Sequence, residues 1–273
     1  MTEKHNIKNI HLVLYSNGEP FTSVKLKTIE SIQSFTTKNV IIHDYNLEKI
    51  MKLSWFPCIE YLPKMHFYGA RDGYYNSWKA FITHDVYNEM GDDDILYYVD
   101  SSQHYQMGFT ENIDNLCEYA FHTGCVAGSV SDNGLNSTDN YCNNLIVWDS
   151  IIPPNNYLDN QQFLNKMHVL NSWFLFKKNE TNTKFMDEWI YFSVLTKPEN
   201  FHDSLLNNYT FERPLITYHH TADQSIFSIL VYKYNLPVFY SKSIEHGFNK
   251  NKNLVLKTVN QQFPYDSFFI KLM

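Results

Sequence analysis

The chain has 273 residues, 44% of them hydrophobic and 16% aromatic, which is enough to bury a sizeable core and too apolar for intrinsic disorder. Its 22 Lys and Arg residues are scattered among 29 Asp and Glu for a formal charge of −7, so it lacks the basic stripe that a nucleic-acid partner requires. No stretch has the length of a membrane span, and Met1-Thr2-Glu3-Lys4-His5-Asn6 leads on without the apolar core of a signal peptide, so a soluble, cytoplasmic protein is expected.

Ile10 to Tyr15 reads as a buried strand, ended by the turn Ser16-Asn17-Gly18, and the next segment places Phe21, Val24, Ile29 and Ile32 near one helical face. Asn39 to Asp44 repeats the strand signal, and Leu47 to Leu53 suggests a short helix. From Tyr74 to Met90, the spacing of Trp78, Phe81, Ile82, Val86 and Met90 predicts an amphipathic helix, followed through Gly91 by a strand over Ile95 to Val99. Thr123 to Pro154 is rich in Gly, Ser, Asn and Asp and suggests substrate-covering loops. Val169 to Phe176 reads as a strand, and Phe185, Met186, Trp189 and Ile190 mark the buried face of a helix. A last helix carries Ala222, Ile226, Ile229 and Leu230 and precedes the strand Val238-Phe239-Tyr240. This alternation predicts an α/β class with a Rossmann-like, mainly parallel central sheet flanked by helices. Without repeat or linker, residues 1–273 are expected to form a single domain.

Cys58, Cys117, Cys125 and Cys142 lack the CxxC pairing of a zinc or redox site and are expected to be reduced structural thiols. The sequons at Asn136, Asn179 and Asn208 are read as products of an Asn-rich composition. The feature that points to chemistry is Asp94-Ile95-Leu96-Tyr97-Tyr98-Val99-Asp100-Ser101-Ser102, an apolar run that stops at a carboxylate followed by hydroxyls. In open α/β sheets ligands gather at the carboxyl ends of strands, where Asp100 could hold a metal ion or a polar substrate. An Asx-type turn explains a lone Asp equally well, so its neighbours must decide.

Four blocks in order supply those neighbours. Gly73-Tyr74-Tyr75-Asn76-Ser77-Trp78-Lys79 precedes the Asp100 strand; Asn144 to Asp149 and Gln161-Gln162 lead to Leu170-Asn171-Ser172-Trp173-Phe174-Leu175-Phe176; Phe185-Met186-Asp187-Glu188-Trp189 follows; and His219-His220-Thr221-Ala222-Asp223-Gln224-Ser225 opens the last helix. Together they resemble the GT-A glycosyltransferases of the small polysaccharide type, which transfer a sugar from a nucleoside diphosphate, and the likeness covers most of the chain. It implies one GT-A domain, with a nucleotide-sugar-binding part over about 1–105 and an acceptor-side part over about 106–273.

The resemblance further implies a metal-assisted transfer using Mn²⁺ or Mg²⁺, with a UDP-sugar donor as a family-level inference and a glycan or glycoprotein as acceptor. The developing charge on the departing diphosphate must be neutralised, and hard divalent ions favour oxygen ligands. Asp100 would bind the metal. The second acidic position of the family's DxD pattern is Ser102 here, and His246 stands where a C-terminal metal-binding His is expected. His104 and Gln103 are spare ligands. Lys79, Arg71 and Lys250 would contact phosphate, and Tyr15 and Ser16 the base and ribose. Asp223, with Asp149, would face the sugar as catalytic carboxylates. Asp223 equally suits an N-cap, with Thr221 its rival, and Trp148, Trp173 and Trp189 suit either sugar stacking or the core. A catalytically silent module that binds nucleotide sugar or glycan and, further off, a nucleotidyltransferase remain alternatives. Stereochemistry stays open, as does oligomeric state, for which a homodimer is one arrangement.

Overall fold

The computed structural model describes residues 7–19, 21–60, 77–101, 113–131, 169, 171–195, 222–241, 253–258 and 269–271. In chain order they form β1 (Asn9–Tyr15), α1 (Phe21–Phe35), β2 (Asn39–Tyr45), α2 (Leu47–Ile50), a 3-10 turn (Phe56–Cys58), α3 (Trp78–Glu89), β3 (Ile95–Val99), α4 (Ile113–Thr123), β4 (Cys125–Val126), β5 (Ser129–Ser131), β6 (Trp173–Lys177), α5 (Glu180–Leu195), α6 (Ala222–Lys233), β7 (Pro237–Ser241), β8 (Asn253–Thr258) and β9 (Phe269–Lys271).

The main sheet has five strands in the order β2-β1-β3-β6-β4. β1 pairs in parallel with β2 and β3, as the β-α alternation predicts. β6 runs antiparallel to both β3 and β4, so the sheet is mixed, and the expectation of a mainly parallel sheet is corrected. The reversal has a local cause. The chain enters β6 beside the end of β3, where the Asp100 amide donates to the Ser172 carbonyl at 2.7 Å. The end of β3 and the start of β6 therefore meet at one edge of the sheet, together with the ends of β1 and β2.

Period-two alternation assigns the two faces. Val13, Tyr15, Leu96, Tyr98, Phe174 and Phe176 face one core with α3, α5 and α6. Ile10, Leu12, Leu14, Ile95, Tyr97, Val99, Trp173 and Leu175 face the other with α1 and α4. β1, β3 and β6 are covered on both faces, which explains why β1 and β3 read as nearly unbroken apolar runs, whereas the edge strand β2 leaves Ile41 and Ile42 exposed. A second sheet, in the order β5-β7-β8-β9, pairs β5 with β7 in parallel and the others antiparallel.

Several element ends depart from the sequence expectation. α2 stops at Ile50, and the strand expected from Val169 begins at Trp173. The stretch expected to be loops from Thr123 contains β4 and β5 before the described residues end at 131. α3 begins at Trp78; the expected start at Tyr74 lies outside the described residues. α4 was not anticipated, although Ile113, Leu116, Cys117, Ala120 and Phe121 are buried at helical spacing. Among the described residues, no helix is long and apolar enough to cross a membrane.

Candidate functional site at the carboxyl edge of the sheet

The alternation that buries Leu96 and Tyr98 on the α3 side carries Asp100 to that same side as the chain leaves β3. The Tyr98 hydroxyl donates to Asp100 Oδ1 at 2.6 Å, a short bond of the kind a carboxylate accepts. α3 starts next to it and presents Lys79 one residue into the helix. α6 starts at Ala222, so Asp223 lies in its first turn, where the helix dipole favours a negative charge.

Lys79 joins these elements. Its Nζ is 3.4 Å from Asp100 Oδ1 and 3.4 Å from Asp223 Oδ2, with side-chain exposures of 6% for the lysine, 14% for Asp100 and 5% for Asp223. The same nitrogen is 3.4 Å from both the carbonyl oxygen and Oδ1 of Asn171, and it lies 5.0 Å from the centre of the Tyr98 ring. Asn171 Nδ2 then donates to Asp223 Oδ2 at 2.7 Å. Burial raises the Asp223 carboxyl above the ordinary carboxylate range and the Asp100 charge adds to that; Lys79 and the Asn171 hydrogen bond act in the opposite direction.

At the end of β1, Tyr15 stacks on Trp78 with ring centres 3.9 Å apart. The Ser16 amide donates to the Tyr45 carbonyl at 3.1 Å. Ser16 Oγ and Trp78 Nε1 are buried and have no hydrogen-bond partner among the described residues. An unmade bond of this kind costs about 1–3 kcal/mol, a deficit that a bound water or ligand offsets. The edge is braced from the other face. Lys25 of α1 pairs with Asp44 near the end of β2, and Thr28 Oγ1 donates to the Ser101 carbonyl at 3.1 Å.

Of the residues expected to bind donor or metal or to act in catalysis, the structure describes Tyr15, Ser16, Lys79, Asp100 and Asp223, and all five sit at this edge. Arg71, Ser102, Gln103, His104, Trp148, Asp149, His246 and Lys250 lie outside the described residues. Trp173 and Trp189 are fully buried in the two cores. Asn171 and Tyr98 were not anticipated as site residues. Tyr98 was legible from period two, since it shares a face with Asp100; Asn171 carried no comparable signal. Among the described residues, no three His, Cys, Asp or Glu side chains are arranged to hold a metal ion. Comparison with known proteins brings no identification: no protein-family model matches the chain, and no curated protein matches it either.

Proposed function

We propose that this protein is a glycosyltransferase that moves a sugar from a nucleoside-diphosphate sugar, with UDP-sugars first in line, to a glycan or glycoprotein acceptor. The observation that carries the proposal is the convergence of Asp100 and Asp223 on one lysine at the carboxyl edge of an α/β sheet. That edge is where such sheets take their ligands, and three of the four sequence blocks that resemble GT-A enzymes supply a residue to it, Lys79, Asn171 and Asp223.

In the reaction, an acceptor hydroxyl attacks the anomeric carbon of the donor while the bond from that carbon to the diphosphate oxygen breaks and its electron pair leaves with the diphosphate. If the reaction inverts, Asp223 takes the hydroxyl proton, and a buried carboxylate with a raised pKa is a stronger base for that step than an exposed one. If it retains, the hydroxyl proton passes to the departing diphosphate oxygen and Asp223 orients the donor sugar; Asp149 is the second carboxylate proposed for either role. Tyr15 and Ser16 would meet the nucleoside, the buried Ser16 hydroxyl, which has no partner among the described residues, pairing with a ribose oxygen.

For a divalent ion, the described residues supply one of the proposed ligands, Asp100, an oxygen donor of the type that Mn²⁺ and Mg²⁺ accept; Ser102 and His246 would complete the set. Such an ion supplies charge neutralisation for the departing diphosphate. Arg71 and Lys250 would add cations there.

Thermal stability measured with UDP, GDP, CMP and their sugar conjugates, with and without Mn²⁺, tests the donor part of the proposal. A ligand that binds only the folded state stabilises it by about 2.7 kcal/mol at one hundred times its dissociation constant. A shift with one nucleotide class that is lost in Asp100→Ala supports the proposal, and no shift with any of them overturns it.

A further inference from the structure

We propose that Lys79 is a positioning residue, its ammonium bridging Asp100 at the end of β3 to Asp223 in the first turn of α6 and so setting the separation of the two carboxylates. The proposal rests on the glycosyl-transfer reading and gives Lys79 a different task from the phosphate contact expected of it.

The geometry favours the carboxylates. An ammonium has three donors and no acceptor, and the four acceptors within 3.4 Å of Lys79 belong to Asp100, Asp223 and Asn171, from three separate segments of the chain. Among the described residues, the ionisable groups facing it are Asp100 and Tyr98 from β3 and Asp223 from α6. Both anions also have anchors of their own: Tyr98 fixes Asp100 Oδ1, and Asn171 Nδ2 fixes Asp223 Oδ2. Asn171 accepts from Lys79 through Oδ1 and donates to Asp223 through Nδ2, which closes a ring of lysine, amide and carboxylate. With the ammonium removed, the tie it makes between the end of β3 and the first turn of α6 would be lost, and Asn171 would still hold Asp223.

The test is a carbon-13 carboxyl titration of aspartate-labelled protein, wild type against Lys79→Met and Lys79→Arg, paired with pH profiles of kcat and KM. The proposal expects Asp223 to titrate about one unit or more higher in Lys79→Met and to return toward the wild-type value in Lys79→Arg. In the same Met variant, kcat should fall and its acid limb move to higher pH, with donor KM held within about threefold. An unmoved Asp223 titration overturns the proposal. So does a donor KM raised at every pH with kcat preserved, the signature of a phosphate contact. If the wild type turns over no donor, the glycosyl-transfer reading falls and the titration alone decides the role of Lys79. Should Lys79→Met not fold, the Nζ resonance of Lys79 in the wild type serves instead: it must move as Asp223 titrates, and a fixed resonance contradicts the bridge.

Discussion

Burial raises the pKa of the Asp223 carboxyl, and Lys79 and Asn171 act against it. The unfolded chain releases this proton near the ordinary value of 3.8, the folded chain at a higher pH. Between those values the folded state binds more protons, so this group's contribution to stability declines as pH rises through the window. In the proposed transfer activity would run the other way, because a general base works only when ionised. The acid limb of kcat/KM should therefore lie above the ordinary carboxylate range in the wild type and vanish in Asp223→Asn, whose turnover should be about 10²–10⁴-fold lower if the reaction inverts. A half-buried group, His43, has the opposite sign. Asp94 accepts from Asn9 Nδ2 and the Gly91 amide, each at 2.8 Å, with His11 Nε2 3.2 Å from its Oδ2 and His11 Nδ1 3.0 Å from His43 Nε2. Burial and the neighbouring His11 depress the pKa of His43, against a smaller opposing effect of Glu89. Below the unfolded value of 6.5 the unfolded chain binds the proton more readily, so this stabilising contribution is present above that pH and is lost as pH falls through the depressed folded value. Urea unfolding between pH 7.5 and 5 should show a smaller loss of stability in His43→Gln than in the wild type; equal losses would remove His43 from the account.

Helices and strands owe their ends to specific contacts. α4 stops at Gly124, which has φ +91°, and a Cβ built there would sit 2.8 Å from Asn179 Nδ2. The Gly124 carbonyl also accepts from the Lys177 amide at 2.7 Å and from Asn182 Nδ2 at 2.8 Å, tying the α4–β4 turn to the β6–α5 turn. Asn179 takes part as the cap of α5, its Oδ1 accepting the Asn182 amide at 2.8 Å. Gly124→Ala should therefore cost about 1–3 kcal/mol in chemical denaturation. In the core over β6, Phe174 stacks on Tyr98 at 4.9 Å and meets Phe227 at 5.2 Å and Trp189 at 5.6 Å. It links β3, α5 and α6 beneath the site. Phe174→Ala should cost about 3–5 kcal/mol, and because Tyr98 anchors Asp100, activity should fall in the fraction that remains folded.

Across the whole molecule, what was legible in the sequence was whatever short-range pattern decides. β1 and β3 are nearly unbroken apolar runs and β2 carries Val40-Ile41-Ile42, so the strands and with them the α/β class were legible, whereas α3, expected to bury one face, is buried continuously from Trp78 to Thr83. The direction of β6 was not legible, because WFLFK reads alike in either orientation and its pairing depends on where residues 171–172 meet Asp100. The same holds for the site. Asp100 announced itself by ending a strand, and Asp223 by opening a helix. Their meeting on Lys79, whose partners lie 21 and 144 positions away by number, is tertiary and has no local signal. The central claim is that this meeting point transfers sugars. It is tested most directly by incubating the full-length protein with UDP-, GDP- and CMP-sugars, Mn²⁺ and mixed glycan acceptors, and measuring released nucleotide together with glycosylated product. The account predicts nucleotide and product in equal amounts from one donor class, falling about 10²–10³-fold in Asp100→Ala. Release from no donor, or equal release by the Asp100→Ala protein, would contradict it.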